Sequence, residues 1–240
     1  DFIQQTGNKR DYFREQNYGK VTYSKLQSYD ESIIDKIKEK FTKNNLTSDN
    51  NKVIIEYDKN LGFEKIKGIH TKSSDLRKTN PNYSSKREEY RTNCQRCVNA
   101  YEARRRGYNV EALPRILDGT DRLPVMLDTA NGWTSVYKNP MLIPCIGSTQ
   151  QEMFENVIKT IQSFGKNSRA IVRVRWKTRG GHVFIAETIN GKTQFVDPQV
   201  NNNNVIKYFS KAIPSETYIM RVDDREFTQK IKECCKGVEK

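Results

Sequence analysis

Apolar residues recur at helical spacing in two stretches of this chain and alternate every second residue in others. In SYDESIIDKIKEKF, Ile33, Ile34, Ile37 and Phe41 share one helical face, with Asp30 or Ser32 as caps. QEMFENVIKTIQSFG (151–165) is an amphipathic helix ended by Gly165. Val172, Val174 and Trp176 alternate with Arg173 and Arg175, the period of a strand with one buried face. KVIIEYD (52–58), YNVEAL (108–113) and TYIMRVD (217–223) read as further strands, and DREFTQKIKECCKG as a closing helix. TKNNLTSDNNK (42–52) is a loop, residues 71–92 are polar and turn-rich, and 114–148 are loop-rich.

Two segments are specified more sharply. Asn93 to Arg106 is a helix that Thr92 or Asn93 can cap. Arg104, Arg105 and Arg106 complement the negative end of its dipole, and Gly107 is the stop. Downstream, Asn190-Gly191 is a two-residue hairpin signal. With that turn Ile189 faces Lys192, Phe184 faces Asp197, and His182 faces Gln199. Paired residues share a sheet face, so His182 and Asp197 become diagonal neighbours about 7–8 Å apart.

Composition narrows the partners. The 240 residues carry a net charge of +13, which favours acidic partners or serves as a solubilising surface. Five cysteines, at 94, 97, 145, 234 and 235, form no disulfide framework. Cys94-x-x-Cys97 lacks a second pair, and two histidines do not complete a zinc site, so no metal or cofactor is expected. No apolar run approaches membrane-spanning length. The chain begins at Asp1 without Met and reads as part of a longer protein.

Cys94, His182 and Asp197 have the chemistry of a thiol-nucleophile triad. A neutral cysteine is mostly thiol at pH 7 and needs a base or a positive neighbour. Cys94 lies in the first helical turn, where free N–H groups stabilise a thiolate and can donate to an oxyanion. Cys97 sits one turn deeper, as core packing or as the alternative nucleophile. His182 is the base and Asp197 fixes its tautomer. The other histidine, His70, reads as a surface residue, Arg173 and Arg175 as a solvated strand face or as contacts for an acidic substrate, and Trp133 and Trp176 as core or rim packing.

The strings NPNY…Y-x-x-NCQRCV-x-AYE-x-RRRGY-x-V and GGHVF-x-AE-x-INGKT-x-FVDPQ resemble the papain-fold toxin family of glutamine deamidases, found as C-terminal domains of polymorphic toxins and of phage or mobile-element head proteins. The resemblance covers roughly residues 80–223. It implies an α+β, papain-like fold with an N-terminal nucleophile helix on an antiparallel sheet. Residues 76–240 would form the catalytic domain; residues 1–75, outside the resemblance, read as a charged, mainly helical extension that either engages a partner or substrate without being needed for chemistry, or packs onto the core through the helix around Ser32 to Phe41. It implies conversion of a glutamine carboxamide to a carboxylate by Cys94, His182 and Asp197, supported by Gln199, Asn93 and Gln95. The implied partners are a protein substrate and a cognate immunity protein, with delivery from a producing cell into a target-cell cytoplasm. The competing readings are a cysteine peptidase or transglutaminase of the same fold, and a non-enzymatic basic module that binds nucleic acid or serves a phage structure.

Overall fold

The computed structural model of the protein describes residues 55–67, 70–124 and 129–238. The helix read around Ser32 to Phe41 lies outside these residues. The chain divides into units 1–52 and 53–240, and every described element belongs to the second. Its regular elements begin with β1 (Ile55–Asp58), β2 (Phe63–Ile66), α1 (Lys72–Thr79), α2 (Glu88–Arg91), α3 (Cys94–Arg105) and β3 (Val110–Ala112). They continue with β4 (Ile143–Pro144), α4 (Gln150–Ser163), β5 (Arg169–Arg175), β6 (Gly181–Ile189), β7 (Lys192–Val196), β8 (Tyr218–Arg221) and β9 (Cys235–Gly237).

One antiparallel sheet, in the order β4-β8-β5-β6-β7, divides the core into two layers. On one face Ile171, Val183, Ile185, Val196 and Met220 pack with Cys97, Val98 and Tyr101 of α3. On the other, Val172, Val174, Phe184, Ala186 and Phe195 pack with Met153, Val157 and Ile161 of α4. The secondary structure is therefore α+β. β6 is apolar on successive residues because both of its faces are covered. The same burial corrects the reading of β5. Arg173 is 5% exposed, donates to the Glu216 carbonyl at 2.7 Å, and lies over the Tyr218 ring. Only Arg175 keeps a solvated position.

The hairpin follows from its turn. Asn190 and Gly191 have φ of 51° and 80°, the pair of positive values a type I′ turn requires. The ladder accordingly pairs Ile189 with Lys192 and Ile185 with Val196. α3 ends as its sequence indicates. Gly107 has φ of 93°, its amide donates to the Arg104 carbonyl and that of Tyr108 to the Ala103 carbonyl, closing a Schellman motif.

Three segments differ from the sequence reading. Residues 71–92 hold two short helices and a 3-10 turn, Pro81–Ser85. α1 is capped by the Thr71 hydroxyl, which accepts from the Ser74 amide. The closing helix is a 3-10 turn at Gln229–Glu233, after which the chain becomes β9 and pairs with β3. Its adjacent cysteines are buried, and pairing satisfies backbone groups that β3 would leave exposed. Third, α3 is buried on every side, not along one stripe. Its charged residues are held by ion pairs beyond any interaction with the dipole. Arg96 pairs with Asp121 at 2.5 Å, and Glu102 with Arg106 at 2.7 Å and Arg169 at 2.6 Å. Arg104 and Arg105 meet Asp75 of α1.

Asp75 also receives His70 Nδ1 at 2.7 Å, so His70 is not a surface residue. A domain limit at 75/76 falls inside α1, and Leu61 and Phe63, upstream of it, belong to the same core as α3.

Candidate active site

The start of α3 is built around Asn93. Its carbonyl accepts the amides of Arg96 and Cys97, at 2.9 and 3.0 Å. The amides of Cys94 and Gln95 precede these first helical donors and make no hydrogen bond among the described residues. The Asn93 side chain does not cap the helix. Its Nδ2 donates to the Leu113 carbonyl at 2.9 Å. Its Oδ1 accepts from Cys97 Sγ at 3.2 Å and Gln199 Nε2 at 3.4 Å. Thr92 is no cap either, since its hydroxyl donates to the Glu88 carbonyl.

The hairpin supplies the second half. His182, near the start of β6, has the same parity as Phe184, and the two rings are nearly parallel, 6.2 Å apart. Its Nε2 contacts Asp197 Oδ2 at 2.8 Å. The Cys94 side chain lies close enough to act on the charge of this ring. With Nε2 on the carboxylate, Nδ1 is the nitrogen left for the thiol. Burial alone would lower the His182 pKa. The charges of Asp197 and Cys94, and the hydrogen bond to Asp197, override that and raise it to about 10. The imidazolium is the favoured form near neutrality.

The remaining sequence candidates fall around this pair. Gln199 donates its amide to Asp197 Oδ1 at 2.9 Å. Gln95 is buried beside Cys94 in sequence, with no hydrogen-bond partner for its Oε1 among the described residues. Cys97 is wholly buried, and burial together with the nearby Cys94 and Asp197 pushes its thiol well up. Cys94 retains 6% exposure.

Three residues at the site carried no such role in the sequence reading. Tyr208 donates its hydroxyl to Asp197 Oδ2 at 2.9 Å, and its ring stands edge-on to His182. Burial, then Asp197, holds the Tyr208 hydroxyl above the usual phenol range, so it remains a donor. Trp176 is a rim residue as read, but it stacks on His182 at 5.9 Å. Asn80 donates Nδ2 to the carbonyls of Gln199 and Tyr90, both at 2.9 Å, tying the approach to α3 onto the loop after Asp197. The aromatic pair in IKYFS was the available signal for Tyr208. Nothing local marked Asn80, whose partner Gln199 is distant in sequence.

A cleft of about 700 Å3 opens beside the imidazole, lined by Trp176, Lys177, Thr178, His182, Asp197, Gln199, Val200, Tyr208, Ser210 and Lys211. Cys94 is not part of this lining. Among the described residues no group of three or more His, Cys, Asp or Glu side chains is arranged to hold a metal ion, and no helix is long and apolar enough to cross a membrane. A polarised imidazole beside a thiol at a helix start suits nucleophilic attack on a carbonyl carbon.

No curated protein and no solved structure matches the chain. Residues 92–201, from the residue before Asn93 to just past Gln199, match the model of the family described as Papain fold toxin 1, glutamine deamidase. This stretch contains Cys94, His182 and Asp197, and it excludes Asn80 and Tyr208. The resemblance read from the sequence motifs is thereby borne out over residues 92–201, which are similar to the papain-fold toxin glutamine deamidases.

Proposed function

We propose that this domain deamidates a glutamine side chain of a target protein, with Cys94 as nucleophile, His182 as acid and base, and Asp197 as the group that orients His182. One observation carries the reading: the Asp197 carboxylate contacts Nε2 of His182 at 2.8 Å, with the Cys94 side chain close enough to act on the charge of that ring. α3, packed on an antiparallel sheet, then serves as the nucleophile helix of a papain-like fold. The Cys94 thiolate attacks the carboxamide carbon. The amides of Cys94 and Gln95 receive the oxyanion. The His182 imidazolium gives its proton to the departing nitrogen, ammonia leaves, and a thioester remains. His182 then takes a proton from water, the resulting hydroxide attacks the thioester, the Cys94 thiolate leaves, and the product acid gives its proton to the released ammonia or to solvent. Asp197 holds the His182 ring in place throughout. Gln199 and Asn93 hold Asp197 and the helix start in register.

We further infer that the protein acts as an effector, delivered from its producer to a target cell and neutralised at home by an immunity protein. The family match supports this role.

Intact-mass analysis of candidate host proteins, incubated with the protein, tests the chemistry. A gain of about 1 Da per converted glutamine is expected, the consequence of exchanging an amide for an acid. Ammonia should be released without chain cleavage, and Cys94→Ala should abolish both signals. Cleaved products would identify a peptidase instead. Glutamines joined to amines would identify a transglutaminase.

A further inference from the structure

The cleft beside His182 is basic, and nothing in the described structure neutralises it. Lys177 and Lys211 line it, and the Lys177 amide donates to the Lys211 carbonyl at 3.0 Å, which fixes the two residues side by side. Arg179 lies in the same turn as Lys177, and Lys207 on the same 3-10 turn, Ile206–Lys211, as Lys211. All four side chains are exposed, and among the described residues none has an ion-pair partner. The local acids are already engaged. Glu216 pairs with Arg175 and Arg173, and Asp197 is buried under His182, Tyr208 and the Gln199 amide. Like charges held together without a counter-charge repel one another, and the arrangement is relieved by an anionic ligand.

We propose that this cleft binds acidic side chains flanking the target glutamine, making the substrate an acidic segment of a protein. The inference rests on the deamidase reading for its choice of a protein ligand. The glutamine reaches Cys94, which lies outside the cleft lining, while its neighbours in the substrate lie across the His182 side. There their carboxylates meet Lys177 and Lys211. A strongly basic chain, at +13, also draws such a segment in at long range.

Two synthetic peptides test this, each with one central glutamine, flanked by Glu in one and by Lys in the other. Their affinities for the full chain carrying Cys94→Ala are measured by calorimetry at low and at high salt. The Glu peptide is expected to bind about tenfold more tightly at low salt, with the preference shrinking as salt rises. The change Lys177→Glu/Lys211→Glu, on two exposed residues, should reverse the preference while the melting temperature stays unchanged. Equal affinities, or a preference that survives the charge reversal, would overturn the proposal. So would a single-stranded oligonucleotide displacing the Glu peptide at far lower concentration, which would make the cleft a nucleic-acid site. Ammonia release by the wild-type chain is read separately. Preferential binding of the Glu peptide with no ammonia would sink the deamidase reading and leave the cleft assignment standing.

Discussion

Tyr208 and His182 meet on the same oxygen of Asp197, the hydroxyl at 2.9 Å and the imidazole Nε2 at 2.8 Å. The other oxygen accepts the Gln199 amide. The carboxylate is thus held by three donors and has little freedom to swing away from the ring. Tyr208→Phe keeps the aromatic packing and removes one donor to a charged group, worth about 1.5–3 kcal/mol. We expect kcat to fall about tenfold or more with KM nearly unchanged. A fall confined to KM would mean that Tyr208 acts as a cleft wall and not through Asp197.

Cys94→Ala and His182→Ala should each lower deamidation by about 10^4-fold or more, and Asp197→Ala by somewhat less. The double change Cys94→Ala/His182→Ala should be little worse than either single one, because the members act as a unit. Cys97→Ala should retain most activity, since its thiol is buried and pushed up. Retention in Cys94→Ala with loss in Cys97→Ala would reverse the assignment.

His182 also sets a pH dependence of stability. Its pKa is raised from about 6.5, the ordinary unfolded value, to about 10 in the folded chain. Folding therefore favours the protonated ring. That contribution is fully present below about pH 6.5 and is lost as pH rises toward about 10. Melting curves of the wild type and His182→Gln should differ most at the acid end of the range and converge at the alkaline end. A gap that widens with pH would mean a neutral imidazole.

Asp75 predicts where the N-terminal side can be cut. It is wholly buried and contacts His70, Arg104 and Arg105. Removing one partner of a buried ionic cluster costs about 3–5 kcal/mol, because the charges left behind are unpaired. A chain starting at Leu76 also loses Leu61 and Phe63 from the core. It should melt well below a chain starting at Val53, by thermal denaturation followed by circular dichroism. Equal melting temperatures would mean that α1 contributes little.

Local chemistry determined α3, its stop at Gly107 and the 189–192 hairpin, because each depends on residues close in sequence. The same reasoning brought His182 toward Asp197, since a two-residue turn counts outward without ambiguity. Burial on the second face of a strand was not legible. The sequence alternates at Arg173, yet that guanidinium is covered by Glu216 and Tyr218 from strand-distant segments. Asn80 depended wholly on tertiary placement, whereas His70 and Tyr208 meet partners five and eleven residues away through helical turns that local pattern did not mark. Their partners are, in turn, the Gln199 carbonyl, the side chain of Asp75 and the side chain of Asp197. The pattern of a chain records which residues can bury or cap. Only packing decides which polar groups, once removed from water, must find each other.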